Sequence, residues 1–301
     1  MLPARQVQAM SHKKIEQLFG GRIIREISSG VYLLDIENRK YIVKERDHSA
    51  YQCAQSRYLF SNYPLHDPEG FINKPLQSVD DGEHYYTLEY YIEGNNDPEY
   101  LRRQITSVFS ALGKFHLKNK ITGRVWSLYS DGNVFSSIEE MLTYEFDYHE
   151  QFFSFKDKLD LCRNTIINLN SGFQTIVHGD INYGNIVFRD DTPVLIDTEF
   201  AASSLNLFEF EHVDMFGIDR DYPEKIIDPG GTCYTAYFDS IGVNEKEGIE
   251  MIRTYNILKV MRQNTYDVYF HHDDKLETVP VLIDTILQYP SGGSGAAKGA
   301  V

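Results

Sequence analysis

Residues 175–200 read TIVHGDINYGNIVFRDDTPVLIDTEF, and no other stretch restricts the fold as much. A short apolar run (Thr175, Ile176, Val177) leads into a polar loop that carries His178, Asp180 and Asn185. A second apolar run (Val194, Leu195, Ile196) ends on Asp197 and is reached through a turn at Asp190 to Pro193. Short apolar runs bounded by turn residues read as strands. If these strands pair, two carboxylates and a carboxamide converge at their mouths. A lone His-x-Asp is a weak signal. His-Gly-Asp with Asn five residues after the Asp, and apolar-Ile-Asp-x-Glu ending the next strand, is a specific one.

Phosphoryl transfer from a nucleotide requires these groups. A carboxylate must orient the attacking hydroxyl and take its proton, which suits Asp180 in its loop. Divalent ions that bridge phosphate oxygens need hard oxygen ligands, and Asn185 offers a neutral one and Asp197 a charged one. The remainder of the catalysis is positioning and electrostatic stabilisation.

The rest of the chain places this segment in an α+β fold. Residues up to Gly20-Gly21 read as an amphipathic helix closed by glycine. Three strand-like runs follow, Ile23 to Ser28, Val31 to Glu37 and Lys40 to Glu45, with turns at Ser28-Ser29-Gly30 and Glu37-Asn38-Arg39. A helix is expected over His48 to Ser61 and a further strand over Tyr85 to Ile92, where aromatic and β-branched residues dominate. Asp97-Pro98 is a helix start, and Leu101, Ile105, Val108, Phe109, Leu112 and Phe115 then form one apolar face. More helix is expected from Ser137 to about Asn170 and from Phe208 onward. The expected organisation is a small antiparallel-sheet lobe over 1–93, a larger and mainly helical lobe over 94–290, and a flexible tail over 291–301. That tail, SGGSGAAKGAV, has the composition of an appended linker.

HGDINYGN followed by LIDTEF resembles the catalytic and metal-binding motifs of the aminoglycoside phosphotransferase and choline kinase-like superfamily, small-molecule relatives of the protein kinases. The resemblance runs through most of the chain in order. Lys44 in YIVKE is similar to the lysine that holds the α- and β-phosphates. Ser28-Ser29-Gly30 stands where the phosphate loop is expected, LEYYIEG resembles the link that contacts the nucleotide base, and LGKFH resembles the end of the first long helix of the second lobe. The resemblance implies a protein-kinase-like two-lobe fold with Asp180 as catalytic base, and Asn185 and Asp197 holding Mg2+. It implies that Lys44, Ser29 and Gly30 contact the phosphates of ATP or GTP, and that Tyr90, Tyr91 and Ile92 contact the base through their backbone. His178 would brace the loop, and Glu199 is either a second metal or supporting group or a surface residue.

Three departures from the family pattern stand out. No glutamate lies between His48 and Ser61 to pair with Lys44, so Gln52 and Gln55 are the candidates for that place. The phosphate loop has a single glycine. The Asp-Leu-Ala that follows the metal motif in the family is absent, and Glu209 stands at the matching distance, where it is expected to support the loop.

The formal net charge of -15 and pI of about 5.1 argue against nucleic acid and anionic membranes as partners and favour a cationic small molecule. The acids after the metal motif, among them Asp214, Asp219 and Asp221, are the candidate substrate contacts. Cys53, Cys162 and Cys233 are sparse and unpaired in spacing, and no apolar signal core opens the chain, so a cytoplasmic protein is expected. The expected activity is transfer of a γ-phosphoryl group to a hydroxyl of a small polar acceptor, an aminoglycoside first. A metabolic kinase for an amino alcohol or sugar, and a nucleotide-binding pseudokinase, are the alternatives.

Overall fold

The computed structural model describes residues 4–47, 51–127, 133–150, 172–210, 232–244 and most of 246–261, with isolated positions between 160 and 164. These fall into two compact units, one formed by Met1–Asn95 with Val187–Ala201 and the other by Asn96–Ile186 with Ala202–Val301.

The first unit opens with helix α1 (Ala4–Phe19), ended by Gly20 in the left-handed region (φ 70°), whose amide donates to the Glu16 carbonyl at 2.9 Å. Strands β1 (Arg22–Ser28), β2 (Val31–Ile36), β3 (Arg39–Asp47), β4 (Gln77–Asp80) and β5 (His84–Tyr90) form an antiparallel sheet in the order β1-β2-β3-β5-β4. Between β2 and β3, Glu37 (φ 52°) and Asn38 (φ 64°) are both left-handed, as a tight two-residue hairpin turn demands. Ile15 and Phe19 of α1 pack on Tyr32, Leu34, Val43, Tyr86 and Leu88, the core of this unit. Helix α2 (Tyr51–Asn62) follows β3.

Two further strands complete this unit, β9 (Ile186–Arg189) and β10 (Thr192–Leu195), numbered after strands of the second unit. They form a hairpin turned by Asp190 (φ 55°). The hairpin is tied to the first unit by backbone bonds: the Asn95 amide donates to the Phe188 carbonyl (2.8 Å), Asn73 to Leu195 (2.8 Å) and Leu195 to Phe71 (2.7 Å). The expected boundary at 93/94 therefore describes chain order but not contacts, because this hairpin satisfies its outer backbone groups against the first unit.

In the second unit Asp97 caps α3 (Pro98–Arg103), its side chain accepting from the Tyr100 amide at 2.9 Å. Gln104 (φ -100°, ψ 7°) then separates α3 from α4 (Ile105–Lys118), where one unbroken helix was expected. Leu101, Val108, Phe109, Leu112 and Phe115 are nevertheless buried as the apolar face requires. Strands β6 (Val125–Trp126) and β7 (Val134–Phe135) precede α5 (Ile138–Glu150). Strand β8 (Gln174–Val177) pairs antiparallel with β11 (Ala202–Leu205), from Ala202↔Val177 to Leu205↔Gln174. The strand before the His178 loop thus joins β11, while the strand before Asp197 joins β9 through the turn at Asp190, where a turn was expected. Both faces of β11 are buried, and a fully covered strand shows no alternation by which it could be read. A 3-10 turn over Asn206–Phe210 opens the stretch expected to be helical from Phe208, residues 211–231 lie outside the described ones, and beyond them α6 (Thr232–Ile241) packs along α4.

No helix among the described residues is long and apolar enough to cross a membrane. Asp214, Asp219, Asp221, the tail over 291–301 and the side chains of Cys53, Cys162 and Cys233 lie outside the described residues.

Gly94 fits closely against the β9–β10 hairpin: a Cβ there would overlap the Phe188 carbonyl and stand 2.8 Å from Val187 Cγ1. Gly94→Ala is expected to lower stability by about 1–3 kcal/mol in urea unfolding, the range for forced overpacking. Unfolding superimposable on the unsubstituted protein would show that the link relaxes without cost.

Candidate active site

In the first unit the polar side chains centre on Lys44. It lies on β3 with Thr87 of β5 directly opposite, so Glu89, two residues along, projects from the same face. Lys44 Nζ donates to Glu89 Oε1 and Oε2 (2.9 and 3.0 Å) and to Asp197 Oδ1 (2.9 Å). Lys44 is 6% and Glu89 3% exposed, so this is a buried charge cluster rather than a surface pair. Burial would lower the pKa of Lys44, but the Glu89 and Asp197 carboxylates more than offset it and hold the ammonium above the ordinary lysine value. Burial likewise pushes Glu89 up, against the opposing pull of Lys44.

Asp197 sits in the left-handed region (φ 64°, ψ 63°), a conformation costly for most residues and better tolerated by Asp. A second link runs beside the first: Arg46 Nε donates to Glu199 Oε2 at 2.6 Å. Gln55 of α2 donates through Nε2 to the Phe200 carbonyl at 3.3 Å. Residues 197–200 are thus fastened at three points within their own unit. Gln55 is not the partner of Lys44; Glu89 is, and it comes from a strand rather than the helix. Glu199 is an ion-paired residue of this cluster.

Ser29 and Gly30 form the β1–β2 turn. Gly30 is left-handed (φ 70°), its carbonyl accepts from the Glu45 amide at 2.7 Å, and a Cβ would stand 2.7 Å from the Glu45 oxygen. Tyr90 is half exposed and stacks on Tyr41 (5.8 Å between centroids), while Lys40 Nζ lies 5.4 Å from the Tyr91 ring centre. The Tyr90 carbonyl accepts from Asn73 Nδ2 (2.9 Å), and the Tyr91 amide donates to the Lys40 carbonyl (3.3 Å).

The second unit holds the HGDINYGN loop. Asn182 Nδ2 donates to Asp180 Oδ1 (3.0 Å) and Asn185 Nδ2 to Asp180 Oδ2 (2.8 Å), so both carboxylate oxygens are oriented by carboxamides. Asn182 Oδ1 accepts from the Gly184 amide at 2.8 Å, capping the 3-10 turn Tyr183–Asn185 that presents Asn185. His178 is fully buried and its Nδ1 accepts from the Asp180 amide at 3.3 Å. Glu209, 1% exposed, accepts from the His178 and Gly179 amides, the latter at 3.3 Å, and lies 3.4 Å from His116 Nε2. His116 Nδ1 is 2.8 Å from the Tyr237 hydroxyl, whose pKa burial raises, so Tyr237 remains a phenol.

Among the described residues no three His, Cys, Asp or Glu side chains converge as an all-protein metal cage. The oxygens on offer are hard donors: in the second unit Asn185 commits its Nδ2 to Asp180 and keeps a carboxamide oxygen, and in the first unit Asp197 carries a charged one.

Sequence reading did not single out Glu89, Arg46, Asn182 or His116 as site residues. Asn182 lay within the quoted loop and Glu89 within LEYYIEG, but their partners become visible only with the β3–β5 register and the 3-10 turn.

No protein-family model matches the sequence, and no curated protein sequence matches it significantly. Solved structures do match in fold. Choline kinase LicA from Streptococcus pneumoniae is 15% identical, with 94% of this chain and 100% of that chain covered and a TM-score of 0.55. A putative fructosamine-3-kinase from Haemophilus somnus 129PT is 13% identical over 92% and 96% of the two chains, with a TM-score of 0.52. A thermostable mutant of aminoglycoside phosphotransferase APH(4)-Ia, in ternary complex with ADP and hygromycin B, is 12% identical over 95% and 99%, with a TM-score of 0.53.

Glu209→Gln sets an amide N–H₂ against two backbone N–H donors and is expected to lose about 1–3 kcal/mol of stability, the cost of a buried unsatisfied group. Chemical unfolding checks it; an unchanged midpoint would mean that the loop amides have another acceptor.

An antiparallel sheet unit joined to a helix-rich unit, with HGDINYGN and LIDTEF in this order, gives the chain the protein-kinase-like fold of the aminoglycoside phosphotransferase and choline kinase structures.

Proposed function

We propose that this protein is a small-molecule O-phosphotransferase using ATP or GTP. The observation that carries the reading is Asp180: an acceptor carboxylate in a braced loop, with each oxygen oriented by an asparagine of the same motif. In the proposed reaction the acceptor hydroxyl oxygen attacks the γ-phosphorus, its proton passes to Asp180, and the bond from the γ-phosphorus to the β–γ bridging oxygen breaks to release the nucleoside diphosphate. Lys44, Ser29 and Gly30 bind the phosphates. The backbone of Tyr90, Tyr91 and Ile92 would contact the base, with the Tyr90 carbonyl also accepting from Asn73 and the Tyr91 amide donating to the Lys40 carbonyl. Asn185 and Asp197 would hold Mg2+, which supplies charge neutralisation at the phosphates. His178 and Glu209 keep the loop in place, and Glu199 keeps the Asp197 segment in place.

An amine-bearing acceptor follows from the net charge of -15, which concentrates cations near the surface. An aminoglycoside is the first candidate and a smaller amino alcohol or sugar the second. A pseudokinase rested on the absent helix glutamate, and Glu89 supplies the missing partner of Lys44.

Asp180→Asn is expected to lower turnover by about 10²–10⁴ while nucleotide affinity stays within a few-fold, since it removes a general base and no phosphate contact. A screen of amine-bearing and neutral acceptors with labelled nucleotide supplies the assay, and turnover near that of the unsubstituted protein would overturn the role. Asp197→Ala is expected to weaken Mg2+-dependent nucleotide binding more than Asn185→Ala, because a charged oxygen binds a hard cation more strongly than a carboxamide does. Metal titration of both variants decides the order.

A further inference from the structure

We infer that Glu89 is the positioning residue that holds Lys44 for the nucleotide phosphates, a role moved from helix α2 onto strand β5. The inference rests on the phosphotransferase reading and adds to it how the phosphate clamp is built.

Three observations, and one consequence of the proposed metal site, support it. Glu89 gives both carboxylate oxygens to Lys44, at 2.9 and 3.0 Å, in a site where both residues are buried. Thr87, opposite Lys44, donates to Glu89 Oε1 at 3.5 Å, so the carboxylate is held from its own strand as well. Helix α2 contains no acidic residue over Tyr51–Asn62, and Gln55 is committed to the Phe200 carbonyl. The other anion on Lys44, Asp197, is shared, because the same side chain is the proposed charged ligand of the metal.

A buried ammonium needs a lasting counter-charge, and removing one partner of such a pair leaves the other uncompensated. Glu89 meets that need without any helix having to move into place. Its position relative to Lys44 is fixed by the β3–β5 ladder, which runs from Tyr41↔Tyr90 to Asp47↔His84 and has Val43↔Leu88 in the core. The Lys44–Glu89 pair is therefore assembled in the sheet itself, on a ladder that contains no residue of α2.

The test is equilibrium binding of a non-hydrolysable ATP analogue to the full chain carrying Glu89→Gln, Lys44→Met, both together, or Gln55→Ala, with thermal unfolding of each. Glu89→Gln is expected to weaken binding about tenfold, the scale of a charge-assisted hydrogen bond. In the Lys44→Met background it should cause no further loss, because Glu89 acts through the lysine. Gln55→Ala should weaken binding less than Glu89→Gln. If Glu89→Gln fails to fold, Glu89→Asp, which keeps the charge on a shorter arm, takes its place with a smaller expected loss and the same dependence on Lys44. Equal losses in both backgrounds, unchanged affinity in the folded variant, or a larger loss from Gln55→Ala would overturn the inference and leave the phosphotransferase reading standing. Unaltered binding by Lys44→Met would remove the clamp role of Lys44, and the inference with it.

Discussion

A lysine ammonium buried in a protein interior is tolerated only with anions within hydrogen-bonding distance, and here Lys44 has two, Glu89 and Asp197. Much of the first unit follows from that requirement. The β3–β5 pairing sets Glu89 beside Lys44, and the β9–β10 hairpin leads to Asp197, whose left-handed backbone turns its carboxylate to the same nitrogen. The Arg46–Glu199 pair and the Gln55–Phe200 bond then hold the following turn. Breaking a buried pair of this kind costs about 3–5 kcal/mol when one charge is left behind, so these residues act as a set.

The loop of the second unit is built by the complementary device, an anion satisfying backbone donors. Glu209 accepts from the His178 and Gly179 amides, and His116, itself bonded to Tyr237, stands beside it. This fixes the backbone on the N-terminal side of Asp180. On the C-terminal side Asn182 and Asn185 orient the carboxylate through their amides. A carboxylate held from both sides has little freedom left to lose, as the positioning role proposed for Asp180 requires. Glu209 stands where the resemblance expects a different motif, yet its carboxylate reaches the loop from a buried 3-10 turn.

Asp180 in the second unit and Asp197 in the first share a residue type but differ in surroundings. Asp180 is bonded to two neutral carboxamides, which orient both of its oxygens. Asp197 is paired with the Lys44 ammonium. The proposed base and the proposed ligand thus differ in the neighbours each one keeps.

Periodicity and turn chemistry read from the sequence give the α+β class, the meander of the first three strands, the Asp97 cap and the apolar face of α4, because these depend on neighbours a few residues apart. Asp180, Asn185 and Asp197 were legible as spacings along the chain, and Lys44 through a resemblance. The pairing of β8 with β11 was not, since ASSL at 202–205 carries no strand signal and becomes a strand only by completing its partner's hydrogen bonds. Nor was the membership of the β9–β10 hairpin in the first unit, which is decided by backbone groups of Phe71, Asn73 and Asn95. Glu89 is the plainest case: the sequence by itself determined that Lys44 lacked a helix glutamate, and only the register between two strands 45 residues apart decided which carboxylate took its place, because a buried charge is satisfied by proximity in space and not along the chain.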